Sequence, residues 1–151
     1  MRYDHRGASQ MKLVVAICIS LLLARAPLIA ANPDCSSLHA VPLCTVIKNA
    51  TDHDGKDVLV AGHYKMLFHG SVLTASECKD VVNLRQALNA KTDKHAQAIL
   101  RSATKKNQFQ AVPVVLRGTF HVAQQGQCFG QDCAPYEIED RELLCAQLPV
   151  R

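Results

Sequence analysis

Seven cysteines in 151 residues constrain this chain more than any other feature. The compartment decides whether they crosslink the fold or remain thiols, and the compartment is read from the N-terminus. Lys12 precedes twelve uncharged residues, Leu13 to Ala24, and Arg25-Ala26-Pro27 breaks the run before Leu28-Ile29-Ala30-Ala31. A cation, an apolar core and a small-residue exit are the three parts of a secretory signal. The core falls short of the ~20 apolar residues that a permanent membrane helix needs. The reading is therefore a cleavable signal peptide, started at Met1 or Met11 and cut after Ala31, with residues 32–151 in the periplasm or secreted. The alternative is a chain anchored by the same segment left uncleaved.

Cys18 leaves with the signal, so six cysteines remain: Cys35, Cys44, Cys78, Cys128, Cys133 and Cys145. An even count in a small exported domain reads as a disulfide framework, although six cysteines admit 15 pairings. Proximity puts Cys128–Cys133 first. Cys44 and Cys78 bracket a hairpin and make the second pair, which leaves Cys35–Cys145. Each bond is worth ~2–4 kcal/mol, useful to a single domain with no Trp and few aromatic residues to fill a core.

Charge says little about partners. Beyond Ala31 there are thirteen basic and twelve acidic residues, a net charge of +1 against +4 for the whole chain. That surface exerts no general attraction on nucleic acid or anionic membrane, which calls for clustered cations. The local cluster is Lys105-Lys106 near Arg101, which reads as a solvated helix end favoured by the helix dipole.

Periodicity gives the architecture. Residues 32–41 form an aperiodic N-terminal segment, and Pro42 to Ala50 allow one or two helical turns. After the Asp54-Gly55 turn, Val58, Val60, Tyr64, Met66 and Phe68 alternate along a strand over Asp57–Phe68, with Gly62 marking a bulge or bend. His69-Gly70 turns into a second strand, Ser71–Ala75. Val81–Leu84 is a third, weaker strand. Thr92 is placed to cap a helix whose apolar stripe is Ala96, Ile99, Leu100 and Ala103, ending near Asn107. Ala111–Val122 and Glu142–Leu148 are the fourth and fifth strands, separated by a loop with Cys128 and Cys133. The order β-β-β-α-β-β is that of an OB-fold, a five-stranded Greek-key barrel. A small α+β sandwich is the alternative for the same mainly β string.

One segment adds a resemblance. Cys44 to Cys78, through Asp54-Gly55-Lys56-Asp57-Val58-Leu59-Val60-Ala61-Gly62-His63-Tyr64 and His69-Gly70-Ser71-Val72-Leu73, resembles a family of small, largely uncharacterised exported bacterial proteins with an OB-fold-like domain. Val114 to Phe120 is similar to that family's second Gly-x-Phe strand. The resemblance implies the fold and the export, and assigns no ligand. Where the family carries a Gly-His pair, this chain has Gly130-Gln131, with Tyr136 following.

Chemistry is sparse. The four residues between Cys128 and Cys133 differ from the two-residue spacing of redox dithiols, so a structural bond is the reading. His63 and His69, six apart on one strand face, could join His121 as a surface site for copper, zinc or nickel; scattered surface histidines are the simpler account. No elbow motif surrounds Ser71, Ser76 or Ser102, and no residue stands out as catalytic. Glu137, Glu139, Asp140 and Glu142, with Arg141 among them, read as a solvated loop or a weak calcium site. Tyr64, Phe68 and Phe120 are the rings available for stacking nucleic-acid bases, but Tyr64 and Phe68 fall on the core face. The expectation is an exported binding or envelope-associated accessory module with no cofactor, no nucleic-acid partner and no membrane span in the mature chain. Its partner would be an envelope protein or a small ligand. The alternative is a periplasmic metal-binding or thiol-redox protein using His63, His69, His121 or the Cys128–Cys133 loop. A small envelope hydrolase is a third reading.

Overall fold

A computed structural model of the chain describes residues 34–148, with the backbone alone over 86–91. The expected signal segment, with Met11, Cys18 and the cut after Ala31, lies outside the described residues. Those described belong to one compact unit.

The alternation of Val58, Val60 and Tyr64 builds strand β2 (Asp57–Leu67), preceded by the two-residue β1 (Val41–Pro42) and followed by β3 (Gly70–Thr74), β4 (Val82–Thr92), β5 (Val112–Val122) and β6 (Tyr136–Ala146). Strand β2 is antiparallel to both β3 and β5, β3 to β4, and β5 to β6, while β4 and β6 run parallel. The order β2-β3-β4-β6-β5 returns to β2, so the sheet closes into the five-stranded OB barrel rather than an open sandwich. Strand β1 adds beside β2, in parallel.

One strand must serve both sides of the closure. Asp57–Tyr64 of β2 pair with β5, and His63–Leu67 pair with β3. Gly62 stands just before this hand-over, but its register is continuous, so it marks no bulge. Its role is space: a Cβ there would lie 2.8 Å from Leu73 Cγ, and Leu73 is fully buried. The irregularities fall instead in β4 between Gln86 and Lys91 and in β6 opposite Val115–Gly118.

Leu43, Val46, Val60, Leu73, Val82, Val112, Phe120 and Ile138 fill the interior. The Phe120 ring stacks on Tyr136 with centroids 5.6 Å apart. Helix α1 (Leu43–Lys48) buries Leu43, Cys44, Val46 and Ile47, and α2 (Ala50–His53) leads to the turn before β2. Helix α3 (Lys94–Lys106) lays Ala96, Ile99 and Ala103 on the barrel. Disulfides join Cys35–Cys145, Cys44–Cys78 and Cys128–Cys133, the same three pairs that spacing ranks first. Such bonds are compatible with an oxidising, extracellular compartment. Among the described residues no helix is long and apolar enough to cross a membrane.

Several local expectations are corrected. Asp93, not Thr92, caps α3, its Oδ1 accepting from Ala96 N at 2.8 Å; Thr92 is the last residue of β4, which runs well past Leu84. Strand β6 begins at Tyr136 rather than Glu142, so Glu137, Glu139 and Asp140 are strand residues and not a solvated loop. Pairing on both sides, to β4 and β5, outweighs the poor strand preference of consecutive acids. Phe68 leaves the core face because β2 ends at Leu67; the ring is 80% exposed.

Candidate functional site

The two faces of β6 carry different chemistry. Ile138 points into the barrel, while Glu137 and Glu139 point outward beside Asn83 and Arg85 of β4, their paired residues. Glu137 is only 6% exposed. It accepts from Asn83 Nδ2 at 2.8 Å and pairs with Arg85 Nε at 3.1 Å. Arg85 Nη2 reaches Glu139 Oε2 at 2.6 Å. A buried carboxylate held by an amide and a guanidinium is a fixed acceptor rather than a mobile surface charge.

His121 of β5 is paired with Glu137 across the ladder. Its Nε2 is closed to solvent and has no hydrogen-bond partner. At the same end, Asp54 Oδ1 accepts from Val122 N at 3.0 Å, which ties the turn before β2 to the end of β5.

The β5–β6 connection folds over this face. The Cys128–Cys133 bond, the Phe129–Ala134 bridge and a hydrogen bond from Ala123 N to Pro135 O (2.9 Å) hold it. Gly130, at φ 65°, lies so close to Asn83 that a Cβ would sit 2.6 Å from Asn83 Oδ1. Between loop and sheet is a pocket of about 360 Å³, with Arg85, Glu137, His121 and Asp54 as its floor and Gln127 and Phe129 as its lip. Its polar groups donate and accept hydrogen bonds; it contains no hydroxyl or thiol nucleophile.

A second group lies inside the barrel beneath α3. Tyr64, Ser71 and Asp140 border a cavity of about 90 Å³ together with Gln97 and Leu100 of the helix. Burial pushes the Tyr64 phenol above its ordinary value, against a smaller lowering by the Ser71 hydroxyl. Burial also pushes the Asp140 carboxyl up to about 6, opposed by its backbone hydrogen bond and reinforced by the Glu139 charge. Its Oδ1 is buried and has no hydrogen-bond partner.

The three candidate histidines are dispersed. His63 lies mid-strand on β2 opposite Pro113, bordering a separate groove that also includes His39 and Glu77. His69 is exposed in the β2–β3 turn. His121 is eight positions along β5 from Pro113, about 25 Å of strand. Among the described residues no three His, Cys, Asp or Glu side chains gather as a metal site. All six cysteines described are in disulfides. Sequence reasoning does not single out Arg85, Asn83, Asp54 and Phe129 as site residues, since they come from three separate segments, β4, the turn before β2 and the β5–β6 loop. The acidic run that includes Glu137 was noticed, but its strand phase was not.

No protein-family model, curated protein or solved structure matches the chain.

Proposed function

We propose that this chain is an exported OB-barrel binding module that takes a small polar ligand between the outer face of β4–β6–β5 and the disulfide-pinned β5–β6 loop. The observation that carries the reading is Glu137, buried under the loop with both its oxygens held by Asn83 and Arg85. Such a group orients a ligand without first having to be ordered, and the volume fits the range of small-molecule pockets. In OB barrels the loop between the last two strands borders the ligand site, the position this loop takes. Two carboxylates, Asp54 and Glu137, against one guanidinium among the lining residues favour a ligand rich in hydrogen-bond donors, neutral or cationic. The Phe129 ring offers it an apolar wall.

Export is supported by the Lys12–Ala31 pattern, by the disulfides and by the resemblance to small exported bacterial proteins. Intact mass of protein recovered from an export-competent bacterial host, alkylated without reduction, tests it. A chain beginning near Asn32 with no alkyl group is expected; a start at Met1 or Met11 would refute cleavage. The binding site is tested by thermal shift against amino sugars, neutral sugars and polyamines. A ligand that stabilises the protein but not its Glu137→Gln variant is expected. A ligand bound equally well by both would place the site elsewhere.

A further inference from the structure

The solvent face of α3 carries cations and no acid. Lys94, Arg101 and Lys105 recur at i, i+7 and i+11, opposite buried Ala96, Ile99 and Ala103, with Lys106 alongside. All four are exposed, and the sequence has no Asp or Glu from Lys94 to Gln131. The helix dipole accounts for Lys105 and Lys106, because cations favour a C-terminal turn. It does not account for Arg101 in the middle of the helix. It opposes Lys94, which stands in the first turn, where the dipole favours an acid.

An aromatic pair sits off the end of this stripe. After Lys106 the chain turns through Asn107, whose side chain accepts from Phe109 N at 3.1 Å. Phe109 then meets Phe68 of the β2–β3 turn edge to face, with ring centroids 5.0 Å apart. Phe68, Phe109 (39%) and Met66 (37%) are the exposed large apolar side chains of this end. Two rings from distant segments, held together in solvent, form an apolar tip beside a cationic strip.

We propose that this face docks on an anionic lipid bilayer, with Phe68 and Phe109 entering the headgroup region and the α3 cations meeting the lipid phosphates. Peripheral attachment requires two signals, apolar insertion and charge, and this face supplies both side by side. Charge complementarity selects the surface. Each cation near an anionic leaflet is worth about a fivefold gain in binding, and the strip runs about 17 Å along the helix. Single-stranded nucleic acid is the competing polyanion, but it is held in a groove that tracks its backbone, with open rings for its bases. A convex helix face and two rings packed on each other offer neither. The patch shares no residue with the pocket above, so the two proposals stand or fall separately.

Vesicle co-sedimentation of the purified full chain tests it, comparing phosphatidylcholine vesicles with others containing phosphatidylglycerol, at low and high salt. Binding that needs phosphatidylglycerol and is lost at high salt is expected. The double variant Arg101→Gln with Lys105→Gln should weaken it about 25-fold, and Phe68→Ser with Phe109→Ser about tenfold or more. All four positions are exposed, and unchanged circular dichroism with no free thiol verifies the fold. Equal binding to both vesicle types overturns the proposal. So does full binding by the variants, which would assign attachment to another segment, the apolar N-terminal run included. Displacement of the protein from vesicles by a single-stranded oligonucleotide, with the same variants losing the oligonucleotide, would replace lipid by nucleic acid.

Discussion

Asp140→Asn should make this protein more stable at neutral pH and leave it unchanged in acid. The carboxyl faces the barrel interior with Oδ1 unpartnered, and it takes its proton at about pH 6 in the fold against an ordinary 3.8. The folded state therefore binds the proton more tightly than the unfolded chain does. The stabilisation is fully present below about pH 3.8 and is lost as pH rises through about 6. At 1.36 kcal/mol per pH unit the ionised group costs the fold about 3 kcal/mol, and because the residue is only half-buried, solvent screening reduces this to about 1–2 kcal/mol. Asparagine has the same shape and no charge to desolvate. Urea denaturation of the native and variant proteins at a series of pH values reads the difference directly. The curves should diverge by about 1–2 kcal/mol above pH 6 and converge towards pH 4. A difference that is the same at both ends, or a variant less stable at neutral pH, would refute the reading of Asp140 as a desolvated interior acid.

Gly118→Ala should destabilise the barrel by about 3 kcal/mol, because its Cβ would lie 2.5 Å from the Glu139 backbone oxygen and β5 and β6 are paired there; denaturant midpoints check it. Replacing the cysteines pairwise by serine should rank the bonds by the span each closes, 110, 34 and 5 residues for Cys35–Cys145, Cys44–Cys78 and Cys128–Cys133. Chain entropy gives losses of about 5, 4 and 2 kcal/mol, readable from the same unfolding curves. Arg85→Met leaves buried Glu137 with Asn83 alone among these two partners and should cost about 1–3 kcal/mol. Arg85→Lys, which cannot span Glu137 and Glu139 in the same way, should recover only part of that loss.

The barrel was legible in the sequence where one physical signal acted alone. Val58, Val60 and Tyr64 are apolar at every second place, and Ala96, Ile99 and Ala103 sit at helical spacing, so β2 and α3 could be read directly. Strand β6 was hidden because charge and pattern disagree there. Glu137 and Glu139 look like loop until β4 brings Arg85 to pair with both and Asn83 to donate to Glu137, and Asp140 is an acid on an inward position. Phe68 was misplaced because alternation has no means of saying where a strand stops. The pocket could not be read at all: Asp54, Arg85, His121, Phe129 and Glu137 come together only when β4 and β6 pair in parallel across the whole of α3 and β5. The disulfides were easier, since in a chain this short few pairings keep both hairpin and loop intact.

The bond between Cys35 and Cys145 spans the other two, so the native pairing is not the order in which the cysteines are made. A chain appearing N-terminus first exposes Cys35 and Cys44 together, nine residues apart, while the partner of each has yet to emerge. Oxidation in order of arrival would join those two and leave Cys78 to pair wrongly in turn. Reaching the observed connectivity therefore requires Cys35 to remain a thiol until β6 is complete, or thiol–disulfide exchange to undo an early bond. The second of these routes makes maturation of this protein a matter of reshuffling as well as of oxidation.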